Sequence, residues 1–437
     1  MEQRRKNLTQ LFIPICLETL LYMLSGMVDT LMLSSVNDQA VGAVGTANTY
    51  IGIFIIMFSV ISSGMVAVMT QNIGAGRPGV AYQARQLGLA FNAVLGVIMS
   101  LFLSLGAGTI LSGVGVADAL MQPAKTYLQI VGGFCILNAL IPICSSYLRA
   151  FGFSKEPLYA SIIGNVINFC LNAFFLFVLH KGVAGVATAT VISRIINLVI
   201  VVLLGAVLVK AKQHPERESN RAVMGQIIRI GLPSACETAI YNVSMTLVIR
   251  FLNQMDAQGL NVTARSYTMQ ITNFSYCVGA ALAQANAIMT GWHIGAKEYD
   301  ACDRGTKKAA VIGVIVAVIL ETVFTLCSGW IMQLFSKDPQ MVSLVGKLLA
   351  IDIVLEIGRV TNLVYGQALK TSGDAVFPVV MGACFMILCS VGGTYLFGIR
   401  LGLLAVGAYI GMTGDECVRA VGMYLRWKSG KWKEKGL

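Results

Sequence analysis

The chain has 437 residues, of which 56% are hydrophobic and 12% are charged, and its mean hydropathy is +0.74. Soluble globular domains carry roughly a quarter charged residues, so this composition excludes an ordinary soluble fold and indicates an integral membrane protein. The net charge of +11 lies on short segments between apolar runs, which excludes a folded basic module for nucleic acid.

Apolar runs of about 20 to 30 residues alternate with short polar breaks along the whole chain. Runs of this length suit helices that cross roughly 30 Å of hydrocarbon, whereas barrel strands have about ten residues and alternate with period two. The sequence therefore predicts an all-α membrane protein with twelve transmembrane helices. They are expected near residues 8–33, 40–72, 87–111, 124–149, 157–180, 184–209, 226–253, 260–291, 306–335, 340–369, 377–399 and 402–427.

Basic residues concentrate in alternate connecting segments, beginning with the N-terminal MEQRRKN. The opposite loops hold only Lys125, Lys181, Lys337 and Arg400. Because Lys and Arg accumulate in cytoplasmic loops, we expect both termini to face the cytoplasm. We expect a multi-pass protein of the plasma membrane, in contact with the lipid bilayer and monomeric.

A repeat of about 220 residues runs through the chain. PICLETLLY at 14–22 recurs as PSACETAIY at 233–241, an offset of 219. Three further pairs of segments match at offsets of 220 or 221: IGA at 73–75 with IGA at 294–296, RAFGFSKEP at 149–157 with KTSGDAVFP at 370–378, and GVAGVATA at 182–189 with GLLAVGAY at 402–409.

The repeat predicts two pseudo-symmetric six-helix lobes. Six is an even number, so the lobes share one orientation in the membrane, with a cleft between them. The predicted domains are an N-terminal lobe at 1–209, a cytoplasmic linker at 210–225 and a C-terminal lobe at 226–437.

The first span carries a polar stripe that an apolar helix would not need. Glu18, Tyr22, Ser25 and Asp29 fall on one face at about 100° per residue. A carboxylate facing lipid is penalised by several kcal/mol, so this face must turn to a protein interior or a water-filled cavity. The stripe of span 7 is Glu237, Tyr241, Ser244 and Val248.

The two lobes therefore share the glutamate but not the aspartate. Glu18 and Glu237 suit either a structural duty or a substrate cavity that both lobes share. Asp29 belongs to the first lobe alone, which makes it the leading candidate for ion coupling. Hydrogen bonding inside its own bundle is the simpler alternative.

Other polar groups lie within the predicted spans. Span 5 carries Asn165, Asn168 and Asn172, and span 6 carries Thr188, Thr190 and Arg194. Oxygen donors of this kind suit a hard cation such as Na⁺, or a hydrogen-bond shell around a titrating acid. Charges cluster in two spans of the second lobe, with Asp352, Glu356 and Arg359 in span 10 and Asp415, Glu416 and Arg419 in span 12. Their spacings allow intrahelical ion pairs, which favours a structural role.

These features together resemble the multidrug and toxic compound extrusion (MATE) family of transporters. The resemblance covers nearly the whole chain and is carried by the VDTLM segment of span 1, QNIGAGR, GWHIGAK, LRAFGFSKEP, NFCLNAFFLF, GVAGVATATVIS and DECVRAVGMYLRWKSGKW. It implies two six-helix bundles that expel organic compounds, often cationic and amphipathic, in exchange for H⁺ or Na⁺ by alternating access. No other cofactor is implied.

The resemblance also assigns residues to the cation site. The aspartate of the family's V-D-T motif matches Asp29, the N-x3-D of span 5 matches Asn168 and Asn172, and the A-T of span 6 places Thr190 in the same site. Asn172 departs from the family pattern because aspartate is usual there, which leaves the identity of the ion open. Coupling in the second lobe through Glu237 and Glu356, beside Arg359, also stays open.

The substrate is expected to be a small molecule in the central cleft. Tyr22 and Tyr241, with Glu18 and Glu237, could offer hydrogen bonds or charge there. A lipid-linked saccharide flippase of related architecture is the alternative, although such a cleft usually needs Arg and Lys rather than acids. An enzyme is not expected, since the three histidines lie at loops or span ends and the sequence has no metal-ligand motif. The one metal ion considered is Na⁺ at Asp29.

Overall fold

Helices make up all the regular structure of the described residues. A computed structural model describes residues 6–34, 38–113, 116, 118–256, 259–333 and 335–436, and no strand occurs within these ranges. The prediction of an all-α membrane protein is confirmed. Two compact units divide the chain between Gly231 and Leu232.

The first unit contains six spans in chain order, of which the fourth is broken in two. Its helices are α1 (Leu8–Ser34), α2 (Asp38–Gly74), α3 (Pro78–Gly113), α4 (Asp118–Tyr127), α5 (Ile136–Ala150), α6 (Lys155–Ala173) and α7 (Gly182–Leu208). Short π-helical turns extend α4 through Leu128–Gly132 and α6 through Phe174–Val178, and a 3₁₀ turn at Lys210–Gln213 follows α7.

The second unit repeats the pattern of six spans. Its helices are α8 (Asn220–Met255), α9 (Leu260–Gly295), α10 (Tyr299–Leu326), the short α11 (Ser328–Met332), α12 (Pro339–Thr371), α13 (Val376–Phe385) and α14 (Leu404–Lys428). Two π-helical segments, Met386–Val391 and Thr394–Arg400, continue α13, and a 3₁₀ turn at Lys431–Glu434 follows α14. The first turns of α8, up to Gly231, belong to the first unit.

Eight of these spans are long and apolar enough to cross a membrane by themselves, if the bent pair α4 and α5 counts as one. The other four, α8, α9, α12 and α14, have 36, 36, 33 and 25 residues. Their length suffices at 1.5 Å per residue, but polar and charged residues lower their hydropathy. All four belong wholly or mainly to the second unit, which is therefore the more polar half.

The predicted and observed spans differ most at span 4. It bends by 43° between Leu120–Gly132 and Ile136–Ala150. The backbone N–H of Ile136 donates to Oγ of Ser100 at 3.0 Å, so a side chain of α3 replaces an intrahelical acceptor. Inserting a side chain into the i to i−4 ladder is a known cause of kinks.

Two other helix boundaries differ between the prediction and the structure. Helix α3 begins at Pro78, earlier than predicted, because proline fits the first turn of a helix and lacks only a donor that would be unpaired there. Predicted span 9 ends at Leu326, and α11 follows as a separate helix.

Large apolar side chains cover the outer surfaces of the helices. Leu105 is 84% exposed, Leu326 80% and Val207 72%. Lipid tails are as apolar as these side chains, so such exposure is expected of spans in a bilayer and would be unusual in water.

Helices α2 and α8 cross at two glycines inside the first unit. A Cβ built on Gly64 would lie 2.0 Å from the carbonyl oxygen of Ile227, and one built on Gly231 would lie 1.8 Å from that of Val60. No other side chain fits at either position without moving the backbone. The crossing therefore fixes the first turns of α8 against α2.

The segment before α8 binds the loop between α2 and α3. The Arg77 guanidinium forms an ion pair of 2.6 Å with Glu218, and Gln83 exchanges hydrogen bonds with the backbone of Glu218, at 2.7 Å to its carbonyl and 3.1 Å from its N–H. Arg217 donates to the carbonyl of Gly79 at 2.6 Å. The predicted linker is thus tied to the first unit, and α8 begins within it at Asn220.

Candidate functional site

Helix α1 presents both of its acids to helix α6. Oγ of Ser161 donates to Oε1 of Glu18 at 3.4 Å, and Nδ2 of Asn172 donates to Oδ1 of Asp29 at 2.6 Å. Both contacts join residues 143 positions apart, so the two helices run in the same direction with one register. The polar stripe predicted on the first span therefore faces an interior helix of its own bundle at these two positions.

At the Asp29 site, hydrogen bonds link one carboxylate and two amides in a row. The amide nitrogen of Asn172 also donates to Oδ1 of Asn168 at 3.2 Å, one turn earlier on α6. Both asparagines are buried, and Asp29 is half-buried. Oδ1 of Asn172 is buried and has no hydrogen-bond partner among the residues that the structure describes.

Two residues of α7, Thr190 and Arg194, belong to the surroundings of Asp29 and differ in their contacts. Thr190 is buried, and its hydroxyl donates to the carbonyl of Val186 in its own helix at 2.9 Å, so its hydrogen is not directed at Asp29. Arg194 lies within electrostatic range of Asp29. The buried Tyr127 of α4 is within electrostatic range of both charges and was not predicted from the sequence. Tyr127 is the last residue of the short polar helix α4, and nothing in its spacing marks it as a site residue.

Glu18 and Glu237 each pair with a cation of their own unit. Oε2 of Glu18 lies 2.6 Å from the guanidinium of Arg149, and Oε2 of Glu237 lies 2.6 Å from Nζ of Lys370. The glutamates are 219 residues apart and the cations 221 apart, so these pairs occupy equivalent places in the repeat. Each cation is the first residue of a repeated segment that the sequence had matched, RAFGFSKEP or KTSGDAVFP.

The two tyrosines predicted for the substrate cleft lie in different surroundings. Tyr22 is 70% exposed on α1. Tyr241 is half-buried and lines a cavity within the second unit.

A network of charges joins α12 and α14 inside the second unit. Arg419 donates to both carboxylate oxygens of Asp415, at 2.8 and 3.0 Å, and lies 3.0 Å from Glu416. Arg359 pairs with Glu356 one turn away on α12, and its Nε lies 3.6 Å from Glu416 across the helix interface. Since all five residues are buried or nearly so, the pairs offset the desolvation of each charge.

Further polar groups complete this network. Nδ2 of Asn362 donates to Oε2 of Glu416 at 3.0 Å, and Oγ of Ser390 donates to Oδ2 of Asp415 at 3.0 Å. Glu321 of α10 is buried, and neither of its carboxylate oxygens has a hydrogen-bond partner in the described part of the chain. It lies within electrostatic range of Asp352 and Glu356.

A cavity of about 210 Å³ lies beside this network, within the second unit. We refer to it as the second-unit cavity. Its wall combines charged, aromatic and methionine side chains, which include Tyr241, Met245, Arg265, Met269, Asp352 and Tyr409. Over the described ranges, no group of three or more His, Cys, Asp or Glu side chains is arranged to hold a metal ion.

The bundle of spanning helices and the buried polar sites within each unit define a multi-pass membrane transporter built from an internal repeat. The MatE family model matches the chain twice, at residues 14–174 and 233–396. The two matches begin 219 residues apart, which is the offset of the repeat. The chain belongs to the MATE family of transporters, so the predicted family and the prediction that it is not an enzyme are both confirmed.

Known proteins resemble the chain over nearly its full length. The uncharacterized transporter YisQ of Bacillus subtilis is 34% identical over 97% of this chain and 94% of its own length. The probable multidrug resistance protein NorM of Thermotoga maritima is 23% identical over 99% and 94%. The crystal structure of MATE in the bent conformation superposes with a TM-score of 0.89 at 18% identity, covering 98% of this chain and 96% of that one. These matches do not favour the flippase alternative.

Proposed function

We propose that this protein is a secondary antiporter that exports organic compounds in exchange for protons, with Asp29 as the coupling group. The observation that carries the proposal is the contact of Asp29 with Asn172 at 2.6 Å inside the first unit. An ionisable group within a membrane span is a candidate functional site because its burial must be offset.

The composition of this site favours a proton over Na⁺. Hard cations take several oxygen ligands, with carboxylates supplying the negative charge. Here Asn172 replaces an acid that is usual in the family, the Arg194 guanidinium lies within electrostatic range, and the Thr190 hydroxyl is directed at its own backbone. A single carboxylate near a cation gives little net attraction for Na⁺.

The amide of Asn172 suits both protonation states of Asp29. An ionised carboxylate accepts from Nδ2, as the structure shows at 2.6 Å. A protonated carboxyl becomes a donor, and Oδ1 of Asn172 is a buried acceptor with no other partner among the described residues. Rotation of one amide group would therefore serve both states, whereas a second aspartate in its ionised form has no donor for an ionised Asp29. Asn168 would orient that amide, and Thr190 would fix the wall of the site.

Proton binding at Asp29 would change the contact between α1 and α6 and so bias the exchange between outward-open and inward-open states. The proton and the substrate must favour different states, because a ligand that binds both equally shifts nothing. We assign Glu18 and Glu237 mainly to the structure of each unit, since both are ion-paired. Tyr22 and Tyr241 remain the candidates for substrate contact, and Glu356 with Arg359 for a second charged site.

We also propose an amphipathic, cationic substrate, a monomer in the plasma membrane, and cytoplasmic termini. The relatives named as probable multidrug resistance proteins support the drug-like substrate. The concentration of Lys and Arg in alternate loops supports the orientation.

The direct test is ethidium efflux from cells that lack their own pumps, with Asp29→Asn at matched membrane abundance. We expect the wild type to expel ethidium and the variant to lose efflux, because the amide cannot take up and release a proton. The exposed Asp118 of the same unit provides the control Asp118→Asn, which should keep full efflux. Full efflux by Asp29→Asn would contradict the assignment of Asp29.

The identity of the ion is tested in everted membrane vesicles. We expect substrate to dissipate a preformed pH gradient equally with and without Na⁺. The variant Asn172→Asp places a second acid at the position whose amide contacts Asp29, and we expect its transport to become stimulated by Na⁺. A wild type that requires Na⁺ and leaves the pH gradient intact would overturn the proton proposal.

A further inference from the structure

Two buried charges of opposite sign line the second-unit cavity, and neither is fully paired. Arg265 of α9 is 5% exposed and Asp352 of α12 is 2% exposed. Both belong to the cavity wall. Charges this far from water are ordinarily paired and hydrogen-bonded, because their desolvation is otherwise uncompensated.

Arg265 has little to satisfy its guanidinium. Nε is buried without a hydrogen-bond partner in the described ranges, and one terminal nitrogen contacts only the thioether sulfur of Met245 at 3.8 Å. A thioether is a weak acceptor, whereas a guanidinium carries five donors in a fork that matches a carboxylate. Among the described residues, no carboxylate lies within ion-pair distance of Arg265, whereas Arg359 and Arg419 each have two.

Asp352 is the complementary case. Its Oδ2 is buried and has no hydrogen-bond partner over the same ranges. The nearby cation Arg359 already pairs with Glu356 and Glu416. Tyr409, which also lines the cavity, is within electrostatic range of both Asp352 and Arg265. The two groups thus line one cavity from different helices without pairing with each other.

The rest of the wall is apolar and adaptable. Met245, Met269 and Met412 line it together with Tyr241 and Tyr276. Methionine side chains fill irregular gaps and suit variable apolar ligands. A space of about 210 Å³ suits a ligand of amino-acid size.

We infer that the second-unit cavity binds a small zwitterionic organic molecule, with its anionic group on Arg265, its cationic group on Asp352 and its apolar part among the methionines. Such a ligand satisfies both unpaired charges at once, which neither a simple cation nor a simple anion can do. The site lies in the other unit from Asp29. Its occupancy can be measured on purified protein without any transport, so it can fail or hold independently of the proposed antiport.

The test uses three probes with the same side chain: L-methionine, its methyl ester, which keeps only the cation, and N-acetyl-L-methionine, which keeps only the anion. Dissociation constants are measured by calorimetry on the full chain in detergent. We expect L-methionine to bind about tenfold or more tightly than either analogue, since each loses one charge-assisted contact.

Variants assign the two ends of the ligand. Arg265→Gln should weaken binding of L-methionine by about tenfold and leave the methyl ester unchanged, and Asp352→Asn should weaken L-methionine and leave the N-acetyl form unchanged. Arg250→Gln removes an exposed guanidinium from α8 and should change nothing. The comparison of probes on the wild type stands even if a variant fails to fold. Absence of L-methionine binding, or equal affinity for L-methionine and either analogue, overturns the inference.

Discussion

The interiors of the two units handle charge in opposite ways. In the first unit, Asp29 is held by the amide of Asn172, and Asn168 supports that amide. In the second unit, α12 and α14 bury several acids against Arg359 and Arg419. One repeated arrangement of helices therefore accommodates both a nearly neutral site and a dense ionic network.

The repeat offsets show how the difference arises. At an offset of 219 the position of Asp29 holds Val248, and at 221 those of Asn168 and Asn172 hold Cys389 and Gly393. In the opposite direction, an offset of 221 relates Asp352 and Glu356 to Val131 and Cys135, which lie in the apolar core of the first unit. Polar groups thus occupy different positions in the two units, whereas the Glu18 and Glu237 ion pairs are present in both.

This contrast shows that helix packing and site electrostatics can vary independently. Packing depends on small residues and apolar contact along whole helices, whereas the charge of a site depends on a few side chains. Both pairs that the units share, Glu18 with Arg149 and Glu237 with Lys370, join helices within one unit. The groups found in one unit only are the candidates for function.

The largest loss of stability is expected when the ionic network of the second unit is broken. Arg419→Met leaves Asp415 and Glu416 buried without their main partner, which should destabilise the fold by about 3–5 kcal/mol. Arg149→Met in the first unit should be milder, because Glu18 is more exposed and keeps Ser161. Thermal unfolding in detergent measures both. Equal shifts would contradict the contrast between the units.

The second prediction concerns the close helix crossings, which use different helices in the two units. Gly231→Ala should destabilise α8 against α2, and Gly407→Ala should destabilise α14 against the π-helical segment, where a Cβ would lie 2.5 Å from the backbone nitrogen of Gly398. Overpacking of this kind typically destabilises by about 1–3 kcal/mol. The same unfolding assay reports the effect.

Each crossing has a control on its own helix. A Cβ placed on Gly225 of α8 or on Gly414 of α14 would have no atom of a neighbouring element within 4 Å, so alanine there should be tolerated. Alanine also favours the helix by about 1 kcal/mol over glycine in a helix interior. If all four variants behaved alike, helix propensity rather than the crossing would explain the result.

The smallest effect is expected from a test of whether the Glu18 and Glu237 ion pairs are equivalent. Arg149→Lys and Lys370→Arg exchange the cations of the two units, and we expect only small losses of stability, since each exchange keeps the positive charge beside its glutamate. Lys370→Met should be clearly worse, because it leaves Glu237 without its cation. Transport at matched abundance and thermal unfolding provide the readouts. A strong loss in either exchange variant would show that the two sites are not interchangeable.

Some site contacts follow from spacing within one helix. Glu356 with Arg359 and Glu416 with Arg419 are three residues apart, and both pairs are present in the structure. Spacing along a helix fixes which side chains are neighbours, because the pitch is constant. Contacts between helices do not follow, since they depend on the rotation of each helix about its axis and on its separation from the next. Arg149 with Glu18, 131 residues apart, is such a contact.

The sequence by itself determined the membrane environment, the helical class, the number of spans and the internal repeat, because hydropathy and periodicity are local properties of the chain. Tertiary structure decided the rest. It gave Asp29 its amide partner, gave Glu18 and Glu237 their cations, broke span 4 at Ile136, and left Arg265 and Asp352 facing one cavity. These outcomes depend on distances between helices far apart in the chain, which no local pattern encodes.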